Sequence, residues 1–364
     1  MKSRLGRVWN VGGQHQARMV CQQVGSQPSS VPISANLWLL LENISRGGVS
    51  FPKLRPMSNQ PVAAPAAPSK AKVFVRRLGS SLLLWAVVIG ALFSGNRYIS
   101  DYVFLAIMTL LSVAGLIEFY GMAQKRDLVC FKNWGIAGGV VLTVGTFLHC
   151  TGKLGIHDTP SRANDFETFF IILFVLGLCV RQFVSKSNTA GIVAISVTLF
   201  GLMYVPWLLN FITQINFFPV LKQGDGTFFV LYFILVTKFS DMGAYAVGSL
   251  IGKHKMIPRV SPGKTWEGFG GAIVVSTVAS VVFAHLAKDH MAGMNTLHAI
   301  ILGVVLSVCA VIGDLIESLF KREAGLKDSG ALFPGIGGIL DLLDSLLFNA
   351  PIMYLYLRHV LTHP

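Results

Sequence analysis

The chain has 364 residues, 53% of them hydrophobic and only 13% charged, about half the charged share of a soluble protein. A soluble domain of this length could not bury so much apolar surface in one core; a soluble enzyme, a disordered chain and a disulfide scaffold are excluded, and a polytopic membrane protein is indicated. The net charge is +13, from 30 Lys and Arg against 17 Asp and Glu, but the basic residues are spread between apolar runs, which fits membrane topology and argues against a nucleic-acid partner.

Residues 1–75 are polar and basic, with a Pro/Ala-rich stretch from Pro61 to Pro68. Their longest apolar run, Leu37–Leu41, is too short to cross a bilayer, and no apolar region follows the first basic residues as a secretory signal would require. They read as a flexible arm or as an extension of the gene model, with Met57 a candidate start. Residues 76–360 form the membrane domain. Nine apolar stretches predict transmembrane helices: 79–96, 99–120, 133–152, 166–185, 191–214, 227–249, 268–287, 296–320 and 338–358. The fold class is therefore an all-α bundle of about nine transmembrane helices. The uncharged run Ser187–Leu221 is longer than one crossing needs, but Pro206, Asn210 and Gln214 suggest a single helix with an interfacial tail. Counted by alternate segments, 23 Lys and Arg fall on one side and 6 on the other, with Lys238 inside a span. The positive-inside rule then predicts a cytoplasmic N-terminus and an external C-terminus. Cys21, Cys130, Cys150, Cys179 and Cys309 show no metal spacing and read as free thiols.

Three polar places stand out in the second half. Within the sixth span, Lys238, Asp241 and Tyr245 are spaced to share one helix face. Charges at membrane depth are costly and usually face a polar cavity, although an internal Lys–Asp pair that merely joins helices fits this segment equally well. The loop 252–268 carries four basic residues, Lys264 among them, and the charge count places it in the cytoplasm. Gly263-Lys264-Thr265 lacks the first glycine and the strand of a phosphate-binding P-loop; Thr265 is placed to cap the next helix. The third place is densest. Asp314, Glu317, Ser318 and Lys321 fall at i, i+3, i+4 and i+7, and Asp341, Asp344 and Ser345 repeat the pattern. Between them lie Arg322, Lys327 and the turn Pro334-Gly335-Ile336-Gly337-Gly338. A helix starting after Gly338 would point its free N–H groups towards an anion.

Two acidic stripes in apolar helices call for a neutralising partner. Oxygen-only ligands favour Mg²⁺, which typically uses one or two carboxylates plus substrate phosphates. Adjacent Lys and Arg suit the remaining phosphate oxygens. Phosphoryl or nucleotidyl transfer to a lipid is the chemistry this combination suggests. An ion-coupled transporter would use intramembrane acids without needing the basic, glycine-rich loop.

Here the sequence resembles the phosphatidate cytidylyltransferase (CDP-diacylglycerol synthase) family. Ser318, Lys321, Arg322, Lys327, Asp328, Gly330, Pro334, Gly337, Gly338, Asp341 and Asp344 match that family's signature in register. The segments Asp241–Tyr245 and Ser261–Glu267 are similar to it as well. Ile336 stands where the family has His, and Leu342 where it has Arg. The resemblance implies transfer of CMP from CTP to phosphatidate, with Mg²⁺, in an inner (plasma) membrane, the site facing the cytoplasm and a homodimer as a candidate assembly. It makes Asp314 and Asp341 the expected main metal ligands, one from each acidic stripe, with Asp344 and Asp241 behind them. Lys264, Lys321, Arg322 and Lys327 would hold phosphates and Ser318 would orient a ligand. Lys238 and the turn glycines Gly335, Gly337 and Gly338 would contact substrate. The alternatives are a CTP-dependent kinase of polyprenol or phytol type, and an inactive transporter or scaffold.

Overall fold

A computed structural model describes residues 90, 97–153, 160–185, 190–219, 221, 225–326, 329–330 and 337–362. The expected arm and most of the first expected span lie outside these residues. So do Lys327, Asp328, Pro334, Gly335 and Ile336.

The described residues form an all-α membrane bundle. Its helices are α1 (Arg97–Gln124), α2 (Lys132–Cys150), α3 (Pro160–Val184), α4 (Gly191–Leu202), α5 (Leu208–Asn216), α6 (Asp225–Ile251), α7 (Trp266–Leu286), α8 (Thr296–Glu323) and α9 (Ile339–Tyr356). Among the described residues, seven helices are long and apolar enough to cross a membrane, α4 and α5 counting as one. The third expected span is the 19-residue α2, which is not among the seven. Helices α4 and α5 run on through one π-helical turn, Met203–Trp207, which contains Pro206. Proline has no N–H to donate and crowds the preceding turn, so the ladder widens by one residue without breaking. The uncharged stretch is thus one helix, continuous from Gly191 to Asn216.

Large side chains face outward to a degree that only lipid accommodates: Phe183, Ile192 and Leu250 are 91%, 84% and 82% exposed. The interior is dense and aromatic, with Tyr120, Tyr232, Phe229 and Phe233 fully buried beside Leu306, Leu347 and Met353. Without a hydrophobic force between helices in lipid, close backbone approach and interhelical hydrogen bonds hold the bundle. Both are present. A Cβ on Gly243 of α6 would lie 2.7 Å from the Gly271 carbonyl oxygen of α7. Tyr232 Oη and Ser280 Oγ are 2.5 Å apart, and Asn349 Nδ2 donates to Thr237 Oγ1 at 2.6 Å.

The basic loop after α6 is not irregular. It forms an antiparallel hairpin, β1 (Lys255–Ile257) and β2 (Ser261–Thr265). Two clamps explain a strand in a sequence as unpromising as Ser-Pro-Gly-Lys-Thr. The Glu267 carboxylate accepts the Lys253 and His254 N–H groups at 3.1–3.2 Å, and the Trp266 N–H donates to the His254 carbonyl at 2.9 Å. Thr265 caps α7, its Oγ1 accepting the Gly268 N–H at 3.1 Å. The hairpin is thereby held against the start of α7 and carries Lys264 on its second strand.

Candidate active site

Near the hairpin, α6, α7 and α8 enclose a cleft of ≈ 390 Å³ whose lining includes Asp241, Tyr245, Lys264, Phe269 and Asp314. Four of the residues singled out from sequence, Asp241, Tyr245, Lys264 and Asp314, therefore meet there, although they come from three different elements. Lys264 Nζ lies 2.9 Å from Asp314 Oδ2 and donates to the Val311 carbonyl at 3.2 Å. Ser318 Oγ donates to Asp314 Oδ1 at 3.3 Å, one turn further along α8. On the α6 wall, Lys238 Nζ reaches Asp241 Oδ2 at 3.3 Å, the Leu342 carbonyl at 3.2 Å and Ser345 Oγ at 3.4 Å. Ser345 Oγ in turn donates to Asp241 Oδ2 at 3.3 Å.

Asp344 sits behind this wall, buried, its Oδ1 accepting its neighbour's N–H. Asp314, Lys238 and Asp241 all act on it electrostatically. The group thus contains three carboxylates, Asp241, Asp314 and Asp344, and two ammonium groups, Lys238 and Lys264. One negative charge is left over when all five are ionised. A half-buried site with surplus carboxylate is a place where a cation lowers the energy.

Lys321, Arg322 and Asp341, from the signature, are arranged differently. Lys321 pairs with Glu317 one turn back on α8 and with Asp341 Oδ1 on α9 at 2.6 Å. Asp341 Oδ2 accepts the N–H groups of Gly338 and Ser329 at 2.8 and 3.0 Å, and Ser329 Oγ at 3.1 Å. Both oxygens of Asp341 are therefore engaged by the chain itself, and Asp341 does not line the cleft that holds Asp314. Arg322 donates to the Val260 and Leu326 carbonyls at 3.2 Å each, tying the end of α8 to the hairpin. Gly337 has φ +113°, a backbone conformation that favours glycine, and so makes the turn into α9.

The N–H groups opening α9 do meet an anion, and it belongs to the protein. Glu118, near the end of α1, accepts the Ile339 and Leu340 N–H groups at 2.9 Å each and Ser329 Oγ at 3.0 Å. Sequence reasoning passed over Glu118. The signal was there, an acid inside the apolar run Leu105–Tyr120, but no spacing connects it to residues two hundred positions away. Helix periodicity puts Glu317 on a stripe with Lys321, and the structure pairs the two.

Among the described residues, no group of three or more His, Cys, Asp or Glu side chains is placed to hold a metal ion.

Residues 76–360 match the cytidylyltransferase family. Over 253 residues the chain is 41% identical to a phosphatidate cytidylyltransferase of Staphylococcus saprophyticus, covering 70% of this chain and 91% of that protein. It is 44% identical over 127 residues to a phosphatidate cytidylyltransferase of Haemophilus influenzae, 35% of this chain and 44% of the relative. It is 36% identical over 199 residues to the uncharacterized protein YnbB of Escherichia coli K12, 54% of this chain and 65% of YnbB. The chain thus spans less than two thirds of the last two relatives. A family match over residues 76–360, most of the chain, shows that the chain belongs to the cytidylyltransferase family.

Proposed function

We propose that this membrane protein transfers CMP from CTP to phosphatidate, giving CDP-diacylglycerol and pyrophosphate, at a site open to the cytoplasm of a bacterial inner membrane. The observation that carries the reading is the cleft in which Lys264, Asp314 and Asp241 meet beside Lys238 and Asp344. Nucleotidyl transfer between two phosphates needs such a place. Both reactants are anions, and neither is oxidised or reduced.

A phosphate oxygen of phosphatidate forms a bond to the α-phosphorus of CTP. The bond from that phosphorus to the bridging oxygen breaks, and pyrophosphate leaves with the electron pair. The attacking phosphate is already anionic near neutral pH, so no strong base is required. Positioning and charge neutralisation supply the rate. Lys264 and Lys238 would hold phosphate oxygens, each already directed by a carboxylate and a backbone carbonyl. Ser318 would hold Asp314 in orientation. Lys321 and Arg322, tied to Asp341 and to the hairpin, would keep α8, α9 and β2 in register.

The donor set fits Mg²⁺: carboxylate oxygens only. Asp314 and Asp241, which line the cleft, would hold it together with substrate phosphate oxygens. When bound, it would neutralise charge on the triphosphate. Asp341 takes the structural part, since its oxygens are already committed.

Purified protein in mixed micelles, given phosphatidate and CTP labelled on the α- or the γ-phosphate, tests the reading. The α-label is expected in the lipid and the γ-label in pyrophosphate. Appearance of the γ-label in lipid would establish a CTP-dependent lipid kinase instead and refute the proposal.

A further inference from the structure

We infer that Glu118 is a positioning residue for this reaction, acting through Ser329 and the first turn of α9 on the Asp341–Lys321 pair. The inference rests on the proposed transferase activity and adds to it a residue from α1, outside the signature.

Glu118 is half-buried near the end of α1 and makes three bonds, all to the segment that opens α9: Ile339 N–H, Leu340 N–H and Ser329 Oγ. Asp341 takes the next donors of the same segment, Gly338 N–H and Ser329 N–H. The two carboxylates therefore take three amides at the start of α9, those of Gly338, Ile339 and Leu340. Ser329 Oγ lies within hydrogen-bonding distance of both, at 3.0 and 3.1 Å. One hydroxyl proton cannot satisfy two anions at once, so it holds them side by side as a shared bridge.

Glycine makes this approach feasible. A Cβ on Gly330 or Gly338 would collide with the Glu118 carboxylate. The chain of contacts runs Glu118, Ser329, Asp341, Lys321, Glu317, and ends on α8 one turn beyond Asp314. Glu118 touches neither the cleft lining nor Lys264; its effect on the reaction is to fix the angle at which α9 leaves its turn. That angle sets where Asp344, Ser345 and the Leu342 carbonyl stand relative to Lys238.

A competing role is that Glu118 keeps the place of a substrate phosphate at the α9 N-terminus and must leave when CTP binds. The two roles differ in sign. A positioning residue, when weakened, lowers kcat with little change in KM. A placeholder, when weakened, lowers KM for CTP.

The test uses the full chain in detergent–lipid micelles, with Glu118→Gln, Ser329→Ala and the double variant. Glutamine keeps the length but offers one acceptor oxygen, and turns an N–H₂ towards donors. Removing a charge-assisted hydrogen bond of this kind corresponds to about tenfold or more. We expect kcat in Glu118→Gln to fall by about that factor, with KM for CTP and for phosphatidate within about twofold of wild type. The double variant should match Glu118→Gln alone, because both changes break one bridge. Amide hydrogen exchange over 338–341 should rise in Glu118→Gln, which reads the bridge without reference to turnover. Wild-type kcat, a lowered KM for CTP, or fully additive losses in the double variant would each overturn the inference. If Glu118→Gln does not fold, Ser329→Ala alone reads the same split between kcat and KM. Absence of transfer by the wild type would instead overturn the proposed reaction, and the catalytic half of this inference with it.

Discussion

Asp314→Asn separates chemistry from stability. Asp314 accepts Lys264 Nζ at 2.9 Å and Ser318 Oγ at 3.3 Å, and its side chain is 34% exposed. Asparagine keeps the size and one acceptor oxygen but removes the charge. Lys264 retains the Val311 carbonyl and a wet surrounding, so the loss of the pair should cost at most about 1 kcal/mol of folding stability. The reaction loses more. Taking the charged carboxylate of Asp314 from the cleft removes an oxygen ligand that a cation would use under the proposed reaction and leaves Lys264 without its counter-charge. Removing a preorganised electrostatic partner of a transition state costs about 10²–10³ in kcat, or about 2.7–4 kcal/mol. The assay is transfer of α-labelled CTP into lipid at saturating Mg²⁺, run beside a thermal unfolding scan of the same preparation. A melting temperature close to wild type with turnover reduced at least a hundredfold is expected. Turnover within about fivefold of wild type would refute the placing of Asp314 at the reacting centre.

Asp341→Asn should behave differently, losing stability as well as rate. It breaks the Lys321 pair and weakens the acceptor for Gly338 and Ser329, at a cost of about 2 kcal/mol, less than a fully buried pair because Glu317 still faces Lys321. A melting temperature unchanged from wild type would contradict this. Gly243→Val should destabilise the bundle by about 2–3 kcal/mol, since its Cβ would press on the Gly271 carbonyl and on Val275; normal recovery of monodisperse, thermally unaltered protein would count against the close α6–α7 approach. Lys264→Cys in right-side-out and inverted vesicles should react with an impermeant thiol reagent only from the cytoplasmic side, as the charge count requires. Labelling from outside alone would reverse the topology and remove the site from its CTP supply.

The fold class was legible because apolar runs of bilayer length need only composition to be seen. The start of α7 was legible too, because capping by Thr265 is local chemistry and needs no knowledge of distant parts. The hairpin was not. Its strands are three and five residues long, contain Pro262 and Gly263, and owe their pairing partly to a carboxylate on the following helix. Strand preference is set by such surroundings more than by the residues themselves. The cleft was half legible. Periodicity put Asp314 and Ser318 on one stripe, and Lys238 with Asp241 on another. It carries no information on which stripe of one helix faces which stripe of the next. That is why Asp341 was expected beside Asp314, when α9 turns Asp341 towards Lys321 and sets Asp344 and Ser345 beside the α6 pair.

The division of labour along α8 follows from its geometry. Asp314, Glu317, Ser318 and Lys321 lie at i, i+3, i+4 and i+7, a stripe more than two turns long, and a helix stripe of that length can touch two neighbours at different heights. At the level of Asp314 and Ser318 the neighbour is the hairpin, which supplies Lys264. One turn further on, at Glu317 and Lys321, the neighbour is the start of α9, which supplies Asp341. The upper pair is partly exposed, and its one acid is matched by Lys264 and Ser318. The lower group is buried more deeply, Glu317 being 1% exposed; there Lys321 stands against both Glu317 and Asp341, and Asp341 also accepts backbone N–H groups, while among the described residues Glu317 Oε1 has no hydrogen-bond partner. The stripe therefore does two things in one helix: its deeper residues tie α8 to the start of α9, and its shallower residues tie it to the hairpin at the cleft.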